Sequence, residues 1–175
     1  LRQSFYLYTD VFLPYYVASR GLKQVSDFKD ALLAFVLAAF LLSLIAVAEF
    51  SRHWLLYNAL TDAMGTQWGM SGYLSRGGSL RASATTGQAI ALGYVISVAI
   101  GLFLFLSSYV RSRLQCLLGA LLLAAGLIVP LSRGPWIGAV IIVGVFIATG
   151  RNAVKRLSLL AMAGVLALPL LSVLP

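Results

Sequence analysis

Long apolar runs, separated by short polar stretches, set the pattern of this chain. Ala31–Phe50 reads ALLAFVLAAFLLSLIAVAEF, with its one charge, Glu49, near the end. Ala89–Val110, Leu114–Leu131 and Leu157–Leu174 carry no charge. A helix needs about 20 mainly apolar residues to cross a bilayer, and these runs meet that length. Trp136–Thr149 is shorter and reaches it only if Ser132–Pro135 joins. Phe5–Ala18 is apolar but holds Asp10 and Pro14, and reads as the remnant of a further span. Strict alternation of apolar and polar residues is absent, which disfavours a membrane β-barrel. The expected fold is therefore all-α: a polytopic transmembrane helix bundle of about five full spans plus a partial N-terminal one.

Composition sharpens this. Hydrophobic residues make up 61% of the chain and charged residues 10%, against about 45–50% and about 25% in soluble domains. That excludes a soluble globular enzyme and a disordered chain, and a single cysteine excludes a disulfide scaffold. The chain starts at Leu1, ends at Pro175 after an apolar run and shows no signal-peptide pattern. Residues 1–175 are read as one transmembrane domain, a fragment of a larger membrane protein.

Charge gives the orientation. Arg20, Lys23 and Lys29 precede the first full span, Arg111 and Arg113 follow the second, and Arg151, Lys155 and Arg156 precede the last. With alternating spans these loops share one side, which the positive-inside bias makes cytoplasmic. The net charge of +8 thus mostly reflects topology. Basic residues flank spans and form no basic helix or aromatic platform, so no nucleic-acid partner is expected. Residues 51–88 form the expected extracytoplasmic loop. Its Trp54, Tyr57, Trp68 and Tyr73 suit an interfacial aromatic belt, and Ser51–Leu60 has the pattern of a short amphipathic helix.

Arg52, Arg76, Arg81 and Arg133 fall on that outer side, against the usual bias. Arg81 precedes Thr85 and Gln88, whose spacing is that of a capping box. Arg133 lies in Ser132-Arg133-Gly134-Pro135, where Ser132 or Gly134 suits an N-cap and Pro135 the first helical position. Two helices thus point their N-termini outward, each beside an arginine. A helix N-terminus presents free N–H groups and about half a positive charge, and the planar guanidinium matches phosphate oxygens two at a time. Together the corners predict a cradle for phosphate or pyrophosphate. Arg76, in the glycine-containing Ser75–Ser79 stretch, supplies a third arm. The bland alternative, arginines snorkelling to lipid headgroups, weighs most on Arg76 and Arg52.

The turn Leu131-Ser132-Arg133-Gly134-Pro135-Trp136-Ile137-Gly138-Ala139 resembles the Ser-Arg-Gly turn of the O-antigen ligase and O-antigen polymerase family. Leu80-Arg81-Ala82-Ser83, with Gly87-Gln88-Ala89-Ile90-Ala91-Leu92-Gly93-Tyr94, resembles that family's arginine-bearing entry to the preceding spans. The N-terminal part, with Asp10, Pro14, Arg20 and Glu49, is similar to bacterial exopolysaccharide members. The resemblance implies a multi-pass glycosyltransferase of the bacterial inner membrane, taking glycan from undecaprenyl pyrophosphate on the periplasmic face. The acceptor is another lipid-linked glycan or lipid A core. It implies that Arg81 and Arg133 hold the pyrophosphate, the pair to which the cradle argument also leads. Two departures stand out. Gln88-Ala89 replaces a His-Pro pair of many relatives, and the large periplasmic loop with the ligase histidine would lie beyond Pro175. The catalytic residue is therefore expected outside this chain, and the chain alone is expected to be inactive.

The remaining residues add little chemistry. One His, one Cys and scattered acids build no metal site, and neither metal nor cofactor is expected. His53 reads as a structural interface residue and Cys116 as a packing residue. Glu49 is read either as orienting an acceptor hydroxyl or as pairing with Arg52, three residues on. The expected partners are a lipid-linked oligosaccharide and membrane lipids. The alternatives are a transporter or flippase fragment for an anionic lipid-linked glycan, which would need polar residues along several spans, and a structural membrane subunit.

Overall fold

A computed structural model describes residues 2–64, 74–110 and 112–149. The expected last span, Leu157–Leu174, lies outside the described residues, as do Arg111, the basic residues 151–156, Trp68 and Tyr73. Two compact units divide the chain, Leu1–Phe35 and Val36–Pro175, with the boundary inside one long helix.

In the first unit, α1 (Arg2–Leu7), a π-helical turn (Tyr8–Phe12) and α2 (Leu13–Gly21) follow one another without leaving helical backbone angles. The cause of the wide turn is Pro14. It has no N–H to offer Asp10, and the ladder expands just ahead of it, with Leu13 N–H bonding Tyr8 O. The apolar segment expected over Phe5–Ala18 is thus helical straight through its Asp and Pro. Tyr8, Phe12 and Tyr16 stack at i, i+4 spacing, with centroids 5.2 and 6.1 Å apart, and Arg20 lies 5.7 Å from the Tyr16 ring. α3 (Val25–Arg52) begins where the Asp27 carboxylate accepts the Gln24 and Lys23 N–H groups at 2.9 and 3.1 Å, quenching donors that a helix start leaves free.

The second unit is a helix bundle built from the rest of α3, α5 (Ala89–Leu106), α6 (Arg113–Ile128) and α7 (Arg133–Ala148), with short α4 (Leu56–Ala63) and a two-residue hairpin, β1 (Ser75–Arg76) and β2 (Ser79–Leu80), at one end. α3 buries Val36, Ala39, Ser43, Ala46 and Glu49, a stripe at three- and four-residue spacing. Small residues set the helix approaches. A Cβ added to Gly93 would lie 2.6 Å from Pro135 Cγ, and one added to Gly126 would lie 2.4 Å from Ser43 Oγ. The contacts also give direction. Gly93 meets Pro135, Gly138 meets Ser97 and Gly101 meets Ile142, so α5 and α7 run parallel. Phe103 meets Gly119 and Ile96 meets Gly126, so α6 runs against them; Phe40 and Ser43 take the same two glycines in the order that aligns α3 with α6. The bundle therefore alternates, and α5 and α7 start at the same end.

Among the described residues two helices are, by length and composition, long and apolar enough to cross a membrane: Val25–Arg52, and α5 with its 3₁₀ extension, Ala89–Tyr109. About a fifth of the apolar window of the first and somewhat under half of that of the second are buried, and large apolar side chains such as Leu41, Leu44, Phe105, Leu121, Ile137 and Val140 point outward. Polar side chains lie inside instead: Ser43, Glu49, Ser83, Ser97 and Ser132 are buried. α6 and α7 have 16 residues each, about 24 Å at the helical rise, short of a hydrocarbon core of about 30 Å.

Local expectations need three corrections. α3 continues to Arg52, breaks at His53 with φ +51°, and α4 starts only at Leu56, so Ser51–Leu60 is not one amphipathic helix. No capping box forms at Thr85 and Gln88: Ala84–Thr86 is a 3₁₀ turn, Gly87 turns left-handed and α5 starts at Ala89. The Thr86 hydroxyl lies 2.7 Å from Ser83 O and 3.0 Å from Gln88 O, satisfying the turn instead. Finally, Ser132 is the N-cap of α7, and Pro135 stands at its third position, pressed on Gly93.

Candidate functional site

The end of the bundle where α5 and α7 begin carries Glu49, Arg76, Arg81, Ser132 and Arg133. The link between α6 and α7 is tight. Leu131 takes φ +50°, a left-handed angle unusual for a branched residue, and its N–H bonds Ile128 O at 2.9 Å. The indole Nε1 of Trp136 donates to Leu127 O at 2.8 Å, tying the first turn of α7 to the last turn of α6.

Two arginines bracket this turn from the loop that precedes α5. Arg81 donates from Nε to Pro130 O at 3.0 Å and from Nη2 to Ser132 Oγ at 2.7 Å. Arg76, on β1, donates from Nη1 to Leu131 O at 2.8 Å. The hairpin β1–β2 brings both arginines to one edge, and the Arg81 N–H closes it further on Leu74 O at 2.9 Å. Arg133 is the first residue of α7, next to Ser132, with its side chain exposed. Arg76 and Arg81 thus converge on the turn that ends at Ser132, and Arg133 follows it as the next residue in the chain. Among the described residues none of them pairs with a carboxylate, and Arg133 has no hydrogen-bond partner. The guanidiniums are not equivalent. Arg81 is half-buried and has spent two of its groups on the protein, Arg76 is exposed with one group spent, and Arg133 is exposed and unspent.

Ser132 holds an N-cap position without capping. Its hydroxyl accepts from Arg81 and lies 3.2 Å from Pro130 O, and it makes no bond to the first turn of α7. Gln88 likewise makes no side-chain bond to the start of α5. Both helix starts keep backbone N–H groups that their own cap side chains do not answer.

Glu49 meets main-chain donors. It is 2% exposed. Its Oε2 accepts the N–H groups of Ser83 and Ala84 at 3.1 and 2.9 Å, and its Oε1 accepts that of Leu56 at 3.3 Å. Arg52 makes no ion pair with it among the described residues, so the expected Glu49–Arg52 pair does not form. Sequence reasoning missed these partners because they are main-chain atoms: the Leu56, Ser83 and Ala84 amides for Glu49, and Pro130 O and Leu131 O for Arg81 and Arg76. The available signal was the short run Ala82-Ser83-Ala84, small enough to bury its backbone against a carboxylate.

The other candidates stand apart. His53 is exposed, with its ring 6.2 Å from that of Phe50. The half-buried Cys116 has its Sγ 3.8 Å from Ser107 O, where α5 gives way to α6. Among the described residues no group of His, Cys, Asp and Glu has the arrangement of a metal site. None of the family models, curated proteins or solved structures compared with the chain matches it.

Proposed function

We propose that this chain is the membrane-embedded part of a lipid-carrier-dependent glycan polymerase or ligase. In this reading it is a multi-pass protein of a bacterial inner membrane, and the arginine-bearing end faces the periplasm. The sequence resemblance to the O-antigen ligase and polymerase family names the chemistry. The structural observation that carries the reading is the convergence of Arg76 and Arg81 on the turn that leads into Arg133, beside two helix starts without side-chain caps and without a carboxylate partner among the described residues. Such a corner has positive charge left over for an anionic ligand.

The reaction is substitution at an anomeric carbon. An acceptor hydroxyl oxygen forms the new glycosidic bond, and the bond from the sugar to the carrier's pyrophosphate breaks. The bonding pair leaves with the pyrophosphate, and the hydroxyl proton passes to a base outside the described residues. Cations already in place lower the barrier by meeting the charge that grows on the leaving group. Arg133 is the residue free to do so, with Arg76 beside it, while Arg81 holds the turn. Glu49 has both oxygens engaged by the backbone and serves the architecture. Charged side chains lie at the ends of the described bundle helices and none lies midway, which favours chemistry at one face over a transport path.

Arg133→Ala in the intact protein is expected to abolish polymer or ligated glycan, with lipid-linked donor accumulating on the outer face. Arg133→Lys should retain a small part of the activity, since an ammonium supplies charge without the bidentate fork. Normal glycan assembly in both variants refutes the reading, and donor accumulating on the cytoplasmic face indicates a transporter.

A further inference from the structure

We infer that Glu49 is a positioning residue: by gripping the Ser83–Ala84 corner it fixes where Arg81 stands and, through Arg81, the shape of the Pro130–Ser132 turn. The inference rests on the proposed glycan transfer for its kinetic consequence alone.

The argument starts from an ionisable side chain that is 2% exposed and has no cation partner among the described residues. A carboxylate out of water is costly unless its oxygens are met by donors. Here the donors are three backbone N–H groups from two separate segments, the start of α4 and the loop before α5. Two of them, on consecutive residues, share Oε2, and Ala84 holds φ +46°. Successive amides turned to one side form a concave site suited to an anion, and the carboxylate fills it. The loop is thereby fastened to the end of α3.

Arg81 lies two residues before this corner. Ala82, between them, is fully buried, and the Arg81 N–H is fixed to Leu74 O. The backbone at Arg81 is therefore held on both sides, and its guanidinium reaches Pro130 O and Ser132 Oγ from a set origin. Glu49 makes no hydrogen bond to the turn itself. Its influence on residues 130–133 passes along the short path Ser83–Ala82–Arg81.

Hydrogen exchange of the intact protein in lipid nanodiscs tests this. Glu49→Gln replaces one acceptor oxygen with a donor facing N–H groups, and Glu49→Asp keeps the charge but withdraws it by one methylene. Either variant is expected to speed exchange at Leu56, Ser83 and Ala84. It should also speed exchange by about tenfold at Leu131, the order expected for losing one charge-assisted hydrogen bond. Arg81→Gln should speed Leu131 while leaving Ser83 and Ala84 protected. The double variant should exchange Leu131 no faster than Arg81→Gln alone, because both changes act through one contact. Where Glu49→Gln does not assemble, Glu49→Asp takes its place in the cycle.

Unchanged exchange at Leu131 in the Glu49 variants overturns the inference and leaves Glu49 a local anchor. Additive effects in the double variant, about a hundredfold, overturn it as well. In glycan transfer, Glu49→Asp is expected to raise KM for the lipid-linked donor more than it lowers kcat. If Arg133→Ala leaves transfer intact, the functional reading fails while the exchange pattern still decides the role of Glu49.

Discussion

Gly93→Ala is a one-carbon test of how the two parallel helices fix the candidate site. The added Cβ would lie 2.6 Å from Pro135 Cγ and 2.8 Å from Pro135 Cβ. Carbon atoms in contact prefer about 3.5–4.0 Å. Both opposing atoms belong to a pyrrolidine ring, which has no rotamer through which to retreat. The start of α7 must then move by about 1 Å to clear them. Ser132 is three residues from Pro135 on the same turn, and its Oγ accepts from Arg81 at 2.7 Å. A displacement of that size stretches the bond toward the limit at which it ceases to count as one. Overpacking of this kind costs about 1–3 kcal/mol, a roughly five- to 150-fold loss in the folded-to-unfolded ratio. Reversible steric trapping of the purified protein in bicelles measures it. Pro135→Gly removes both clashing ring atoms and should be less harmful in the Gly93→Ala background than alone. Pro135→Ala, whose Cβ stays, should not rescue. If Gly93→Ala matches the wild type, and the cycle shows coupling within about 0.5 kcal/mol of zero, the close approach does not carry the packing and the reasoning fails.

Two further predictions concern single groups. Ser43 Oγ is buried without a hydrogen-bond partner against Gly126, so Ser43→Ala should stabilise the protein by about 1 kcal/mol, the cost of an unmet hydroxyl; a loss on thermal melting would show that the hydroxyl is satisfied in the membrane. Ala84 holds φ +46°, an angle that costs a Cβ-bearing residue about 1–2 kcal/mol. Ala84→Gly should therefore be neutral to stabilising by the same trapping assay despite the added freedom of the unfolded chain, and a clear destabilisation would mean that the corner does not need the left-handed angle.

The apolar runs announced the helices because each is continuous and nearly free of charge, and α5 with its extension ends within a residue of the expected Val110. Boundaries at the polar end were less legible. Thr85 and Gln88 have the spacing of a capping box, but the chain there turns through Gly87, and local hydrogen bonding by Thr86 wins over the helix start. Pro135 suits a first helical position on local grounds, and stands at the third because Ser132 faces Arg81 and ends the turn earlier. Arg76, Arg81 and Arg133 stand out in the sequence as charges against the bias of the expected topology. Their unequal employment does not, since nothing in the spacing tells that Arg81 would meet a carbonyl 49 positions later. Glu49 was visible as a charge near a span end, and its amide partners carry no side-chain signature at all.

Arg76 and Arg81 grip the α6–α7 link chiefly through carbonyl oxygens, which every amino acid supplies. Position 131 can therefore drift among residue types that tolerate its backbone angle without losing the contact, and position 130 is limited by shape alone. The two carbonyl contacts leave no trace in co-variation between columns of related sequences, because one partner has no identity to change. Contact inference from sequence statistics would pass over both carbonyl contacts of the bracket, and only the Arg81–Ser132 bond offers it a pair of side chains.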